Sequence, residues 1–239
     1  MNQEHSKYTL EENQVWSMLF NRQREQLKKR ACESYNTCLD KMQPCLNKNT
    51  IPNFKKINEF FKHYTGWEIH VVPGLIPVEE FFDLLADKKF CSSTWLRSRN
   101  QIDYLEEPDM FHDVFGHIPL LLNPTFSKFA QEFGKLGQIF KGNEEMVLKL
   151  QRIYWFTIEF GLIREQDELK IYGAGIASSF GETIHVFSSQ LECFDYNIEE
   201  VMDCEFYTDK IQEKYFIINS FKDLLKSLEK INTKQKKTA

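Results

Sequence analysis

Apolar residues at helical spacing run through most of this 239-residue chain and restrict it to a largely helical fold. Residues 9–42 read as helix, with Val15, Trp16, Leu19 and Phe20 on one face. Thr9, followed by Glu11 and Glu12, resembles an N-cap and an acidic first turn. Pro44 and Pro52 punctuate the next stretch of chain. Residues 53–64 predict a short amphipathic helix through Phe54, Ile57, Phe60 and Phe61, ended by Gly66. Residues 67–72 alternate and carry β-branched side chains, which predicts a strand. Pro73, Gly74 and Pro77 make a loop, and residues 78–86 return to helical spacing. Residues 90–96 predict a second short strand. Residues 108–122 and 124–140 read as helical segments broken at Gly116 and Pro124. Residues 144–161 form the clearest long helix, residues 170–181 read as irregular and glycine-rich, and residues 211–231 close as an amphipathic helix. No internal repeat and no long linker divides the chain. The expectation is one domain, mainly α with a few short β-strands.

Composition narrows the function. Hydrophobic residues make up 42% of the chain, enough for a sizeable core. The 21 phenylalanines would fill that core with flat rings and line any pocket cut into it, although plain core filling is the commoner reason for them. The net charge is -5, with no basic stripe beyond Lys234, Lys236 and Lys237, which read as a solvated tail. Neither nucleic acid nor an anionic membrane suits such a surface as a partner. No apolar run approaches the roughly 18 residues needed to span a bilayer. The six cysteines contain no C-x-x-C pair, and the chain exceeds the size at which disulfide staples are needed. With no signal peptide evident, they read as reduced thiols of a cytoplasmic protein.

The chemistry concentrates in residues 107–119, E-P-D-M-F-H-D-V-F-G-H-I-P. His112 and His117 stand five positions apart, which on an unbroken α-helix separates them by about 140°. Gly116 and Pro119 would let the backbone turn so that both imidazoles converge. Taken alone, such a pair is more often an ordinary set of core or surface histidines. It is not the H-E-x-x-H zinc-protease signature, and no cysteine lies near it to suggest structural zinc. If the pair binds metal, a carboxylate is wanted to complete a facial triad suited to iron(II). Glu159 fits, as the one charge between Arg152 and Arg164 in a strongly apolar stretch. A pairing of Glu159 with Arg164 is the competing explanation. Arg97 can clamp a carboxylate or simply face solvent. The run Y-G-A-G-I-A-S-S-F-G-E from Tyr172 to Glu182 lacks the third glycine of a dinucleotide fingerprint, so that fold is not supported.

Three pieces, P-D-x-x-H-D-x-x-G-H-x-P, Y-W-F-T-x-E-F-G and Y-G-A-G-x-x-S-S-F-G-E, occur in this order and spacing. Together they resemble the pterin-dependent aromatic amino acid hydroxylases, in particular the compact bacterial phenylalanine-hydroxylating members. The similarity runs from near Tyr8 to about Phe221. The resemblance implies His112, His117 and Glu159 as ligands of Fe(II). It implies Gly74, Leu75 and Ile76 as the loop holding tetrahydrobiopterin or a related reduced pterin, with Phe81 stacking on it and Asp113 and Tyr154 beside it. It implies Arg97 as the group that binds the substrate carboxylate, Asp109 as the acid that orients Arg97, Pro108 and Trp155 as walls of the aromatic pocket, and Ser178 as a partner of a ligand histidine. O2 would be the co-substrate. A single catalytic domain over 1–239 is expected, its core about 8–230, with no regulatory domain and no tetramerisation arm, and therefore a monomer. Leu105 and Thr208 stand where the family places substrate-side residues, and Thr208 matches neither the phenylalanine nor the tyrosine branch. Phenylalanine is the expected substrate. Tyrosine or tryptophan hydroxylation by the same mechanism, a zinc hydrolase on the same triad, and a non-catalytic amino acid or pterin sensor are the alternatives.

Overall fold

In a computed structural model of the chain, residues 1–103, 105, 107–188, 191–208 and 210–235 are described, with side chains as far as residue 231. Lys236 and Lys237, and the side chain of Lys234, lie outside that set. The first long helix, α1 (Leu10–Arg30), starts at a full capping box. The Glu12 N–H donates to Thr9 Oγ1 (3.2 Å), while the Thr9 N–H donates to the Glu12 carboxylate (2.7 Å). The continuous helix expected over residues 9–42 does not form. Ala31 and Cys32 are extended, and the Cys32 N–H donates to the Ile171 carbonyl (2.8 Å) before α2 (Glu33–Lys41) begins. A tertiary backbone contact thus ends α1, a signal that local spacing does not carry.

Next come α3 (Phe54–Lys62), β1 (Glu68–Val71), α4 (Val78–Ala86) and β2 (Lys89–Ser92), with β1 and β2 pairing in parallel. The strand expected over 90–96 is therefore shorter and begins a residue earlier. After the site-bearing segment come α5 (Pro124–Ile139) and α6 (Glu144–Tyr154). The second half differs most from expectation. Residues 170–181 are not irregular. They contain the end of β4 (Glu168–Ile171), all of α7 (Ala174–Ser178) and the start of α8 (Phe180–His185). Residues 211–231 hold β6 (Lys214–Ile218) before α10 (Phe221–Gln235) begins. With β3 (Leu162–Glu165) and β5 (Glu192–Asp195), these strands make a four-stranded sheet in the order β4-β3-β6-β5. Between β5 and β6 lies α9 (Ile198–Asp203). Each strand has only four or five residues, and the last four of β6 are all buried. An apolar run of that length cannot be told from a helical turn by periodicity. The mainly α architecture with short strands is as expected.

The core is aromatic, as the phenylalanine count implies. Phe82 of α4 meets Phe133 of α5 edge-on (5.6 Å between centroids), and Phe111 stacks on Phe115 (4.8 Å, 12°). Helices α4 and α5 approach so closely that a Cβ on Gly134 would stand 2.4 Å from the Ala86 backbone nitrogen, and one on Gly137 2.1 Å from the Phe82 ring. That contact sets where α4 presents Phe81 and Phe82 to the interior. All six cysteines are free, and burial pushes Cys32 and Cys91 up to about 12, so both are inert thiols. Among the described residues, no helix is long and apolar enough to cross a membrane.

Alanine at Gly137 would gain roughly 1 kcal/mol of helix propensity in isolation. Overpacking against Phe82 is expected to outweigh it, with a net loss of about 1–3 kcal/mol. A lower urea midpoint at unchanged m-value would show this; an unchanged midpoint would mean that α4 and α5 can separate at no cost.

Candidate active site and metal centre

Two helical segments change pitch where the candidate ligands sit. Residues His112–His117 and Trp155–Glu159 are π-helical, and in the second the Phe160 N–H reaches back to the Trp155 carbonyl (2.8 Å). Hydrogen bonding from i to i+5 widens the turn, so residues five apart come to lie nearly above one another. His112 and His117 therefore converge without the chain breaking. The expected turn at Gly116 does not occur. Gly116 instead permits close packing, since a Cβ there would lie 2.9 Å from the Ala174 carbonyl oxygen on α7.

The three candidate ligands meet across these two turns. His117 Nε2 lies 3.1 Å from both His112 Nε2 and Glu159 Oε1, and His112 Nε2 lies 3.6 Å from Glu159 Oε2. Donors about 2.1 Å from one ion at neighbouring octahedral corners stand about 3 Å apart, so this spacing fits a hexacoordinate metal with its remaining corners open. Burial, together with the neighbouring His117, outweighs the attraction of Glu159 and lowers His112 to about 4. Burial opposes charging Glu159, but the facing imidazoles and the Tyr154 hydroxyl hold its carboxyl down at about 2. A neutral His112 beside a charged carboxylate is the protonation state that metal binding requires.

Ser178 sets the orientation of His112. Its Oγ donates to the Ala174 carbonyl (2.8 Å), so its remaining capacity toward His112 Nδ1 (2.9 Å) is as an acceptor. The His112 proton is thereby placed on Nδ1, and Nε2 is left as a bare donor facing the cluster. Helix α7, which carries Ser178, fits against Glu159 through glycine: a Cβ on Gly175 would stand 3.1 Å from Glu159 Oε2. The Y-G-A-G run is therefore a packing device between ligand-bearing segments.

A cavity of about 330 Å³ opens on the cluster. Of the residues singled out from the sequence, His112, His117, Glu159, Gly74, Leu75, Ile76, Phe81, Asp113, Tyr154, Pro108 and Trp155 all line it. Phe81 stands at 90° to the Tyr154 ring (5.1 Å). Burial holds the Asp113 carboxyl up at about 7, despite a hydrogen bond from the Ser93 N–H (2.9 Å). Arg97, Asp109 and Ser178 are buried and are not among the lining residues. Asp109 accepts from the Arg97 backbone N–H (3.0 Å), Nε (2.8 Å) and Nη2 (2.8 Å). Burial raises the cost of charging Asp109, but the Arg97 guanidinium outweighs it and lowers the carboxyl from its usual range. Arg164, the competing partner for Glu159, pairs with Asp195 instead (3.0 Å). Leu105 and the exposed Thr208 do not line the cavity.

Several lining residues had no signal in the sequence. Phe90 packs at a tilt against His117 (4.5 Å, 31°), but its strand position showed only a generic apolar residue. Phe206 stacks on Trp155 (4.9 Å, 30°) from a segment with neither motif nor periodicity. Gln151 also faces the cavity, one helical turn before Trp155.

Two histidines and one carboxylate on neighbouring corners of a metal site, with the other corners facing an aromatic cavity, define a non-haem oxygenase type of centre. Residues 3–238 match the biopterin-dependent aromatic amino acid hydroxylases, and the chain belongs to that family. It is 40% identical over 219 residues to phenylalanine-4-hydroxylase of Chromobacterium violaceum, covering 91% of this chain and 73% of the relative. The corresponding enzyme of Mesorhizobium japonicum is 42% identical over 218 residues, covering 90% and 77%. The solved C. violaceum enzyme with bound iron(III) and oxidised 7,8-dihydrobiopterin superimposes with a TM-score of 0.92 at 38% identity, covering 98% of this chain and 85% of that one. The form with iron and phenylalanine bound gives a TM-score of 0.89 at 37% identity, covering 95% and 82%. The family resemblance read from the three motifs is borne out.

Replacing Ser178 by alanine removes the acceptor that orients His112. Ferrous iron is expected to bind roughly 10- to 100-fold more weakly, measured by anaerobic titration, with the thermal midpoint of the apoprotein little changed. Unaltered affinity would mean that Ser178 plays no part in orienting the ligand.

Proposed function

We propose that this chain hydroxylates the ring of L-phenylalanine to give L-tyrosine, with iron(II), a reduced pterin and O2. The observation that carries the reading is the convergence of His112, His117 and Glu159 on one wall of a cavity otherwise lined by the residues expected to hold a pterin and an aromatic ring. The named relatives and the phenylalanine-bound neighbour favour phenylalanine over tyrosine or tryptophan.

Each residue takes a role that its surroundings support. His112, His117 and Glu159 hold the iron. When bound, the iron and the reduced pterin supply the electrons and the open coordination positions for oxygen activation. Gly74, Leu75 and Ile76 offer backbone groups to the pterin edge, with open space where a side chain at Gly74 would be. Phe81 offers a stacking face, with Tyr154 and Asp113 beside it. Asp109 holds the Arg97 fork by Nε and Nη2, so Nη1 remains to bind the substrate carboxylate. Carboxylate capture at one end and the walls of Pro108, Trp155 and Phe206 at the other hold the ring toward the metal and keep water from it. We further infer one catalytic domain acting as a cytoplasmic monomer. Six free thiols suit a reducing compartment, and a net charge of -5 without a basic stripe suits no nucleic acid partner.

The test is an aerobic assay of iron-loaded protein with tetrahydrobiopterin and, separately, phenylalanine, tyrosine and tryptophan, with products read by mass spectrometry. Tyrosine from phenylalanine, dependent on both iron and pterin, is expected. Its absence from protein shown to hold iron would sink the proposal. His112→Ala and Glu159→Ala are expected to lose iron and all coupled hydroxylation. Arg97→Ala is expected to raise the KM for phenylalanine at least about tenfold, the scale of losing charge-assisted hydrogen bonds, with the pterin KM unchanged. A phenylalanine KM that does not move would remove Arg97 from substrate binding.

A further inference from the structure

We infer that Glu182 and Gln212 are positioning residues that clamp Trp155, and through it the ring-binding wall of the cavity; the inference rests on the function proposed above. Glu182 closes the third sequence motif, yet it neither lines the cavity nor touches the metal cluster.

The chain of contacts begins at the cavity wall. The indole Nε1 of Trp155, which can only donate, gives its proton to Gln212 Oε1 (2.9 Å). The other end of that amide, Nε2, donates to the Lys214 carbonyl (2.6 Å), so the amide has one orientation only. Gln212 is 7% exposed, and its backbone N–H donates to Glu182 Oε1 (3.1 Å). The second carboxylate oxygen, Oε2, accepts from the Tyr215 hydroxyl (3.0 Å), which lies equally close to the Gln212 carbonyl. Glu182 is 9% exposed, and burial raises its pKa, so placing a carboxyl there costs free energy that these donors offset.

The geometry serves one element. The described residues between α9 and β6 form no helix or strand, and among them Phe206 stacks on Trp155. Gln212 lies at the far end of that segment. Glu182 therefore ties down its return into β6, while Gln212 fixes the indole against which Phe206 rests. Phe160 also packs against the indole (4.6 Å between centroids). The triad and the Gly74–Ile76 loop lie outside this chain of bonds. Loosening the clamp should affect the fit of the substrate ring and leave iron and pterin binding alone.

The test pairs Gln212→Leu with Glu182→Ala and Glu182→Gln in iron-loaded enzyme. Gln212→Leu is expected to raise the phenylalanine KM about fivefold, the loss of one buried hydrogen bond, and to lower the tyrosine formed per pterin oxidised. Iron content and pterin KM should stay as in the parent. Glu182→Ala should do the same, and Glu182→Gln, which keeps an acceptor for the Gln212 N–H, should restore most of the loss. In a Trp155→Phe background, which has no indole to hold, the Gln212→Leu effect should vanish. A uniform fall in kcat, iron content and melting temperature would mean a merely structural role and would overturn the inference. A separate readout does not depend on turnover. The indole N–H resonance missing from Trp155→Phe should exchange with solvent at least tenfold faster in Gln212→Leu, and an unchanged rate overturns the clamp. If the parent enzyme makes no tyrosine, the proposed function fails, while this exchange measurement still decides the clamp.

Discussion

The site depends on burying one carboxylate. Glu159 sits among Phe156, Ile158, Phe160 and Leu162, all buried, where an unpaired charge would be prohibitive. Two imidazoles within about hydrogen-bonding reach of its oxygens turn that liability into a metal-binding set. The same proximity keeps the carboxylate charged, and burial keeps His112 neutral. Each partner alone would be a defect in the core, and together they form an electrostatically consistent cluster.

Bringing the cluster together requires departures from regular helix. Both ligand-bearing segments adopt π geometry, and both meet α7 at glycines that allow near-contact of backbones. Helix α7 then supplies Ser178 to His112 from the same face. The four-stranded sheet adds β3, which leaves the second π-turn, and β6, which carries the return of the Phe206 segment. The cavity is thus walled by pieces far apart in sequence.

Most helices were legible because their apolar spacing is strong. Residues 78–86 and 124–139 fall where the pattern places them. The errors have two causes. The break after Arg30 is made by the Ile171 carbonyl, and the strands near residues 162, 168, 192 and 214 are too short to show a period. Candidate site residues inside a motif were legible, among them His112, His117 and Glu159, whereas the Gly74–Ile76 loop came only from the family resemblance. Phe90, Phe206 and Gln212 were not, because a lone aromatic or amide carries no spacing information.

The sequence by itself determined the helical class, the aromatic character of the interior, the candidate ligand set and the family, all of which reside in residue type and order. Only the tertiary structure decided that a five-residue spacing brings His112 and His117 together, because that depends on backbone pitch. Only it showed that Glu182 reaches Trp155 through Gln212. Those outcomes arise from hydrogen bonds between distant segments, whose partners no local pattern names.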